Sequence, residues 1–324
     1  MRGQLRDVTL RDGLQLTGKA LPTSFKLEIV RELLLLGVPQ LEVGSLARAD
    51  LVPSMANTLD VVGALSSDEL SRCWIWVATP RHVQRALDAG AQNVQYCLSA
   101  SDRHNIANIA RPTHASLAAL PDAVDLVQAV AGARIQLCIA TSFTCPFEGV
   151  IQPSRVLAVS GDARTSGVDE VVVCDTLGQA IPAQVEHLVR ALRTQNPDRP
   201  VVFHGHDTWG QGVANSQAAL AAGAQTIDGS LGGLGGCPFA PGASGNTSTE
   251  DLVFSMRPEW LTPATLHRLV DITETLLRRL DEPNRSRAAQ GVRSNATAFE
   301  WTTGKHTQSG SPVLAGDCFV GQQI

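Results

Sequence analysis

Eight short apolar runs recur along this chain, at residues 5–10, 40–44, 74–77, 93–98, 135–140, 170–174, 201–204 and 226–229, and nearly every one is followed by a longer amphipathic stretch. The runs have strand length, and the stretches at 24–36, 80–89, 117–130, 182–193 and 212–222 have helix length. Pro22 and Pro182 stand near helix starts, and Gly90 and Gly223 follow helix ends. Such an alternation does not read as a sandwich or a bundle. It reads as parallel strands joined by crossover helices, and eight such units close into a (β/α)8 TIM barrel of the α/β class. A barrel of roughly 250 residues fits within the 324 present, with additions.

The barrel, as a catalytic domain, is expected to occupy residues 1–280 and to end in an amphipathic helix over 263–280. From Asp281 the chain turns rich in Ser, Asn, Gly, Gln and Thr. Residues 281–324 therefore read as an irregular C-terminal segment that packs on the barrel or on a second subunit. With 44% hydrophobic residues the chain can bury a large core. The net charge of -5, with no basic run and no interleaving of basic and aromatic residues, argues against nucleic acid as a partner. Its apolar stretches are far shorter than a membrane span. No signal-like block opens the chain, and seven cysteines without a Cys-x-x-Cys pair argue against a disulfide framework or a structural zinc. A reducing cytoplasm is the expected compartment. Cys73, Cys97, Cys138 and Cys174 stand in apolar surroundings, and most are expected to be inert core thiols.

In a barrel of this kind the chemistry sits where strands end and the following loops begin. Four groups fall there: Arg11-Asp12-Gly13-Leu14-Gln15, Glu42, His204-Gly205-His206-Asp207, and a glycine-rich loop at 231–251 carrying Cys237 and Asn246. Strands one, seven and eight are neighbours in a closed barrel, so distant residues can converge. His204 and His206, two apart on a strand, point to the same face. Alone, such a pair is more often structural. With Asp12 and Asn246 it offers two nitrogens and two oxygens, which suits a six-coordinate divalent ion such as Mg²⁺ or Mn²⁺ with two positions open. A guanidinium at Arg11 would balance the carboxylate or polarise a carbonyl. Glu42 reads equally as a strand-end ion-pair partner and as a chemical group. His82, His104, His114, His187, His267 and His306 have no such company and read as surface or loop residues.

At these residues the chain resembles the 3-hydroxy-3-methylglutaryl-CoA lyase family, within the wider superfamily of metal-dependent barrel lyases and Claisen-type synthases. The likeness runs through about residues 5–257. Its most specific stretch is Gly-Leu-Gly-Gly-Cys-Pro-Phe at 233–239, continued by Gly242-Ala-Ser-Gly-Asn246 and Thr249-Glu-Asp-Leu-Val253. His204-Gly-His-Asp-Thr-Trp-Gly210, Arg11-Asp-Gly-Leu-Gln15 and Cys145-Pro-Phe-Glu-Gly149 also match, though superfamily relatives of other activity share them.

The resemblance implies a carbon–carbon lyase acting on an acyl-CoA thioester. It assigns Asp12, His204, His206 and Asn246 to the metal, Arg11 to the thioester enolate, Cys237 to proton transfer, and Glu42 and Asp175 to the catalytic acids. It also implies a homodimer. The base that takes the hydroxyl proton stays open among Asp12, an adjacent histidine such as His204, and Cys237. The chain departs from the family at Leu16-Thr17-Gly18, at Asp50, and at Ile106-Ala107, where relatives carry cations. Those departures point to a lyase or condensing enzyme for another 3-hydroxyacyl-CoA as the alternative. A barrel reduced to a binding subunit would have lost a ligand or the loop cysteine, and none is lost.

Overall fold

The computed structural model describes residues 3–236, 238, 239, 242 and 244–294. Eight parallel strands close the expected barrel: β1 (Gln4–Asp7), β2 (Gln40–Ser45), β3 (Cys73–Val77), β4 (Asn93–Ser99), β5 (Arg134–Ala140), β6 (Glu170–Asp175), β7 (Val201–Gly205) and β8 (Thr226–Gly229). Each strand pairs with its sequence neighbour, and β8 returns to β1. The helices pack outside, and Ile29, Val30, Leu33, Val83, Leu188, Val189 and Leu269 bury against the strands. No described helix is long and apolar enough to cross a membrane.

Three boundaries differ from the sequence reading, each for a local reason. The run at 5–10 leaves the sheet at Asp7, and Thr9–Gly13 winds into a π-helical turn. Asp7 Oδ1 accepts the Thr9 N–H at 3.0 Å and bends the chain out of the extended form. The stretch at 117–130 is two helices, Thr113–Ala118 and Leu120–Gln128, broken where Pro121 has no N–H for the preceding turn. Within 281–324 the described residues hold one helix, Arg287–Arg293, capped by Ser286 Oγ and held by Asp251. Residues 295–324 lie outside the described residues.

The lower barrel is not filled with branched aliphatic side chains. Arg6, fully buried, donates twice to Asp228, at 2.9 and 2.7 Å, and once to Gln136 Oε1 at 2.5 Å. Its guanidinium also lies 5.9 Å from the centre of the Trp74 ring. A second buried acid, Glu250 on helix Thr249–Met256, accepts the Gly232 N–H at 3.0 Å, the Ser248 hydroxyl at 2.5 Å and the Thr273 hydroxyl. It ties the loop after β8 to the last long helix, Pro263–Leu280.

Both buried charges have measurable consequences. Arg6→Ala would leave Asp228 buried without its cation, which costs about 3–5 kcal/mol by analogy with other severed buried pairs. Urea unfolding measures this, and a loss below about 1 kcal/mol would mean that water replaces the guanidinium. Burial pushes the Glu250 carboxyl up from 4.5 to about 7, against its hydrogen-bond donors. The folded protein therefore holds that proton more tightly than the unfolded chain. Its contribution is complete below the ordinary glutamate range and is lost as pH rises through about 7. The fall in unfolding free energy between about pH 5 and 8 should be shallower in Glu250→Gln; an equal slope would place the titration elsewhere.

Candidate active site

The π-turn after β1 has a chemical consequence. It holds Arg11 and Asp12 over the barrel mouth, where a continued strand would have alternated them to opposite faces. The turn is fixed from both sides. Asp7 Oδ2 accepts the Thr249 hydroxyl at 2.6 Å, and Thr9 Oγ1 accepts the Leu231 N–H at 2.8 Å, so the ends of strands one and eight are bolted together.

His204 on β7 and His206, just past its last residue, both face the cavity, with ring centres 5.3 Å apart. One Asp12 oxygen, Oδ2, lies 3.9 Å from His204 Nε2 and 3.5 Å from His206 Nε2. Ligand atoms from the three residues all lie within 4.8 Å of one another, and all three side chains are largely buried. Asn246 joins them: its backbone bridges His206, and its Nδ2 donates to Asp12 Oδ2 at 2.9 Å. The two arms of the glycine loop cross here. A Cβ at Gly235 would fall 2.5 Å from Asn246 Nδ2, and one at Gly245 would fall 2.5 Å from the Gly235 backbone, each at positive φ. Only glycine lets the arms pass this closely and deliver Asn246 to the carboxylate.

The donor set fits a divalent ion. Two imidazole nitrogens aim at one carboxylate oxygen, and Asn246 Oδ1 is buried with no partner. Turning that amide over would present Oδ1 to the same point, at the cost of the 3.0 Å bond that Nδ2 donates to the Leu234 carbonyl. Behind His204 stands a residue the sequence reading missed. Asp228 lies opposite His204 in register, accepts from His204 Nδ1 at 3.0 Å, and is held by Arg6. Metal-binding histidines are oriented by such carboxylates. The available signal was an acid inside an otherwise apolar barrel strand.

Electrostatics separate the carboxyls. Burial favours the protonated form of Asp12, but the Arg11 guanidinium and both imidazoles hold it well below the usual carboxylate range. Burial likewise opposes the Asp228 charge, and Arg6 and His204 hold it low. Burial lowers His204, yet its hydrogen bond to Asp228 and the nearby Asp12 leave it raised. Glu42 goes the other way: burial pushes it up to about 7, opposed by Arg11 and Arg6. Arg11 pairs with Asp12, lies 3.7 Å from Glu42 through Nε, and stacks 5.0 Å above the Trp76 ring. Its Nε and Glu42 Oε1 are buried without a hydrogen-bond partner and remain available to a bound molecule.

These groups share one cavity of about 460 Å³ at the barrel mouth. Among the expected site residues, Arg11, Asp12, Glu42, His204 and His206 line it, and Asn246 abuts it through Asp12. Asp175 does not belong to the lining. Its carboxylate turns back to accept the N–H groups of Gln179 and Ala180 at 3.1 and 3.0 Å, and it shapes the loop after β6. Cys237 lies outside the described residues. Two histidines read as surface or loop residues belong to the cavity. His82 lines it, and His104 is buried, bonded to Ser99 and packed edge-on against Phe239. Burial lowers His104 to about 4, so it stays neutral. Cys97, Cys138 and Cys174, read as core thiols, are buried but face the same cavity.

Residues 2–276 match the HMGL-like family model. The (R)-citramalyl-CoA lyase of Chloroflexus aurantiacus is 37% identical over 76% of this chain and 81% of its own. The hydroxymethylglutaryl-CoA lyase YngG of Bacillus subtilis is 32% identical over 90% of this chain and 97% of its own. A solved HMG-CoA lyase from Acinetobacter baumannii, in complex with coenzyme A and 3-methylmalate, superimposes with a TM-score of 0.81 at 32% identity, covering 91% of this chain and 96% of that one. The chain belongs to the HMGL-like family, and its fold and relatives define it as a carbon–carbon lyase.

His206→Ala should lower Mn²⁺ affinity at least about tenfold, the lower end of what even supporting residues contribute. Glu42→Gln should leave it nearly unchanged. Titration calorimetry on the purified protein reads both, and undiminished affinity in His206→Ala would remove His206 from the ligand set.

Proposed function

We propose that this protein cleaves the C2–C3 bond of a 3-hydroxy-3-methylacyl-CoA that ends in a carboxylate, releasing acetyl-CoA and a keto acid. The first candidate is 3-hydroxy-3-methylglutaryl-CoA, which would give acetoacetate. The observation that carries this reading is the convergence of Asp12, His204, His206 and Asn246 beside the unpartnered Arg11 Nε and Glu42 Oε1, in one cavity of a lyase-family barrel.

Asp12, His204, His206 and Asn246 would hold a Mg²⁺ or Mn²⁺ ion. When bound, such an ion polarises the substrate hydroxyl and lowers its pKa. Asp228, fixed by Arg6, keeps the His204 ring aimed at the site. Arg11, held between Glu42 and Trp76, places a permanent cation where the enolate oxygen of acetyl-CoA develops. The hydroxyl proton passes to a base, the C2–C3 electron pair passes to the thioester enolate, and a proton returns to C2. Asp12, His204 and Cys237 remain the candidates for taking the first proton. Glu42, with its carboxyl near neutrality, can exchange a proton beside Arg11. Cys237, on the glycine loop, is the proposed donor to C2, and closure of that loop would exclude water. The working state is a homodimer in the cytoplasm.

A second reading has its own support. The citramalyl-CoA lyase is the more identical of the two relatives compared, and its substrate carries the carboxylate directly on the carbinol carbon. This chain also lacks cations at Gly18, Asp50 and Ile106-Ala107, and Asp50 is paired with Arg48 at 2.6 Å.

Parallel assays on both thioesters, with Mn²⁺ and then with chelator, test the proposal. Metal-dependent cleavage of one thioester with kcat/KM at least about tenfold above the other would identify the acyl group, since one methylene is worth that much discrimination. Cleavage of neither by folded, metal-loaded protein would overturn the reading. Cys237→Ala should cut turnover while leaving metal affinity intact, and equal loss of both would remove the proposed proton-transfer role.

A further inference from the structure

The proposed reaction makes no use of three cysteines that line the cavity. Cys97 on β4 lies directly opposite Cys138 on β5, and Cys138 Sγ lies 3.5 Å from Cys174 Sγ on β6. All three are free thiols. The other described cysteines differ: Cys73 faces away from the cavity, and Cys145 bonds Ser101 Oγ at 3.0 Å and the Phe147 N–H at 3.3 Å.

The separation decides what this pair can do. Cys138 is in register with Val172, so Cys174 stands on the diagonal two residues further along β6, where Cα atoms lie about 7–8 Å apart, and a disulfide across that span would need the packed strands to move. Those strands are held by four register pairs between Gln136–Ile139 and Glu170–Val173. A single bridging atom needs no such movement. Two bonds to sulfur of about 2.3 Å, meeting at about 100°, span about 3.5 Å. Soft sulfur donors also select a different occupant from the nitrogen and oxygen set at Asp12, His204 and His206. The cavity of about 460 Å³ leaves room for a substituent on the bridging atom.

We propose that Cys138 and Cys174, with Cys97 as a third sulfur, form a dithiol site that captures a trivalent organoarsenical inside the catalytic cavity. Capture is a condensation: two As–S bonds form, the arsenic–oxygen bonds break, and the oxygen leaves as water with both thiol protons. No electrons are transferred. Cys174 is the register partner of His204, and Arg11 faces the same space, so the captured group would occupy the ground beside the reacting atoms. That last consequence rests on the proposed lyase reaction; the capture itself does not.

The test uses reduced full-length protein and phenylarsine oxide, read by intact mass and by mapping which cysteines escape later alkylation. One equivalent should bind, protect Cys138 and Cys174, and leave with a dithiol but not with an equal concentration of a monothiol. Cys138→Ala and Cys174→Ala should each bind at least tenfold more weakly, and Cys237→Ala should bind as the parent does. No adduct on the folded parent, or an adduct lost in Cys237→Ala and kept in Cys174→Ala, would overturn the proposal. If either cavity variant fails to fold, alkylation mapping of the parent decides the question: protection of cysteines other than Cys97, Cys138 and Cys174 would overturn it equally. Capture by a protein that cleaves neither thioester would leave the dithiol site standing and remove the lyase reading.

Discussion

The hydrogen bond from His204 Nδ1 to Asp228 is the interaction on which the site most depends, because it joins the barrel's buried charges to its chemistry. Asp228 would be expensive to bury as an anion by itself. Arg6 makes it tolerable by donating to both of its oxygens, and Gln136 takes a further guanidinium N–H. The result is a rigid polar floor in place of aliphatic layers. It fixes the orientation of His204, which sets the direction of the Nε2 facing Asp12. Three strands, β1, β5 and β8, thus specify the position of one nitrogen on a fourth.

Above that floor, two backbone irregularities bring the remaining groups together. The π-turn at Thr9–Gly13 puts Arg11 and Asp12 over the mouth, and the crossing at Gly235 and Gly245 lowers Asn246 onto the Asp12 carboxylate. Both are held by buried acids that do not line this cavity. Asp7 bolts the turn to helix Thr249–Met256, and Glu250 bolts the loop to Pro263–Leu280. Burial raises both carboxyls, to about 6 and about 7. The opposite shift of Asp12 follows from its three positive or protonatable neighbours, and it keeps the proposed ligand ionised where Glu42 is poised near neutrality.

The eight strands were legible because a parallel strand covered by helices must be an apolar run, and each run here is bounded by helix punctuation. The metal-type residues were legible for a similar reason: His-x-His at a strand end, an acid after strand one and an asparagine in a glycine loop must meet if strands one, seven and eight are neighbours. Asp228 and the cavity thiols were not, because their strands look like ordinary core and inward or outward facing depends on barrel closure; nor were His82 and His104, which sit on helices Pro80–Asp88 and Asp102–Ile109 and reach the cavity only through the packing of those helices. Asp175 shows the complementary point, since its place at a strand end says nothing about the Gln179 and Ala180 N–H groups to which its carboxylate turns.

The sequence by itself determined the barrel, the convergence of its first, seventh and eighth loops, and the lyase family, since hydrophobic period and a contiguous glycine–cysteine motif are local properties. Tertiary structure alone decided which side chains share the cavity, which carboxyls stay charged, and how Cys138 comes to face Cys174 at 3.5 Å. Those outcomes depend on register, burial and distance between strands far apart in the chain, and no local pattern of residues encodes them.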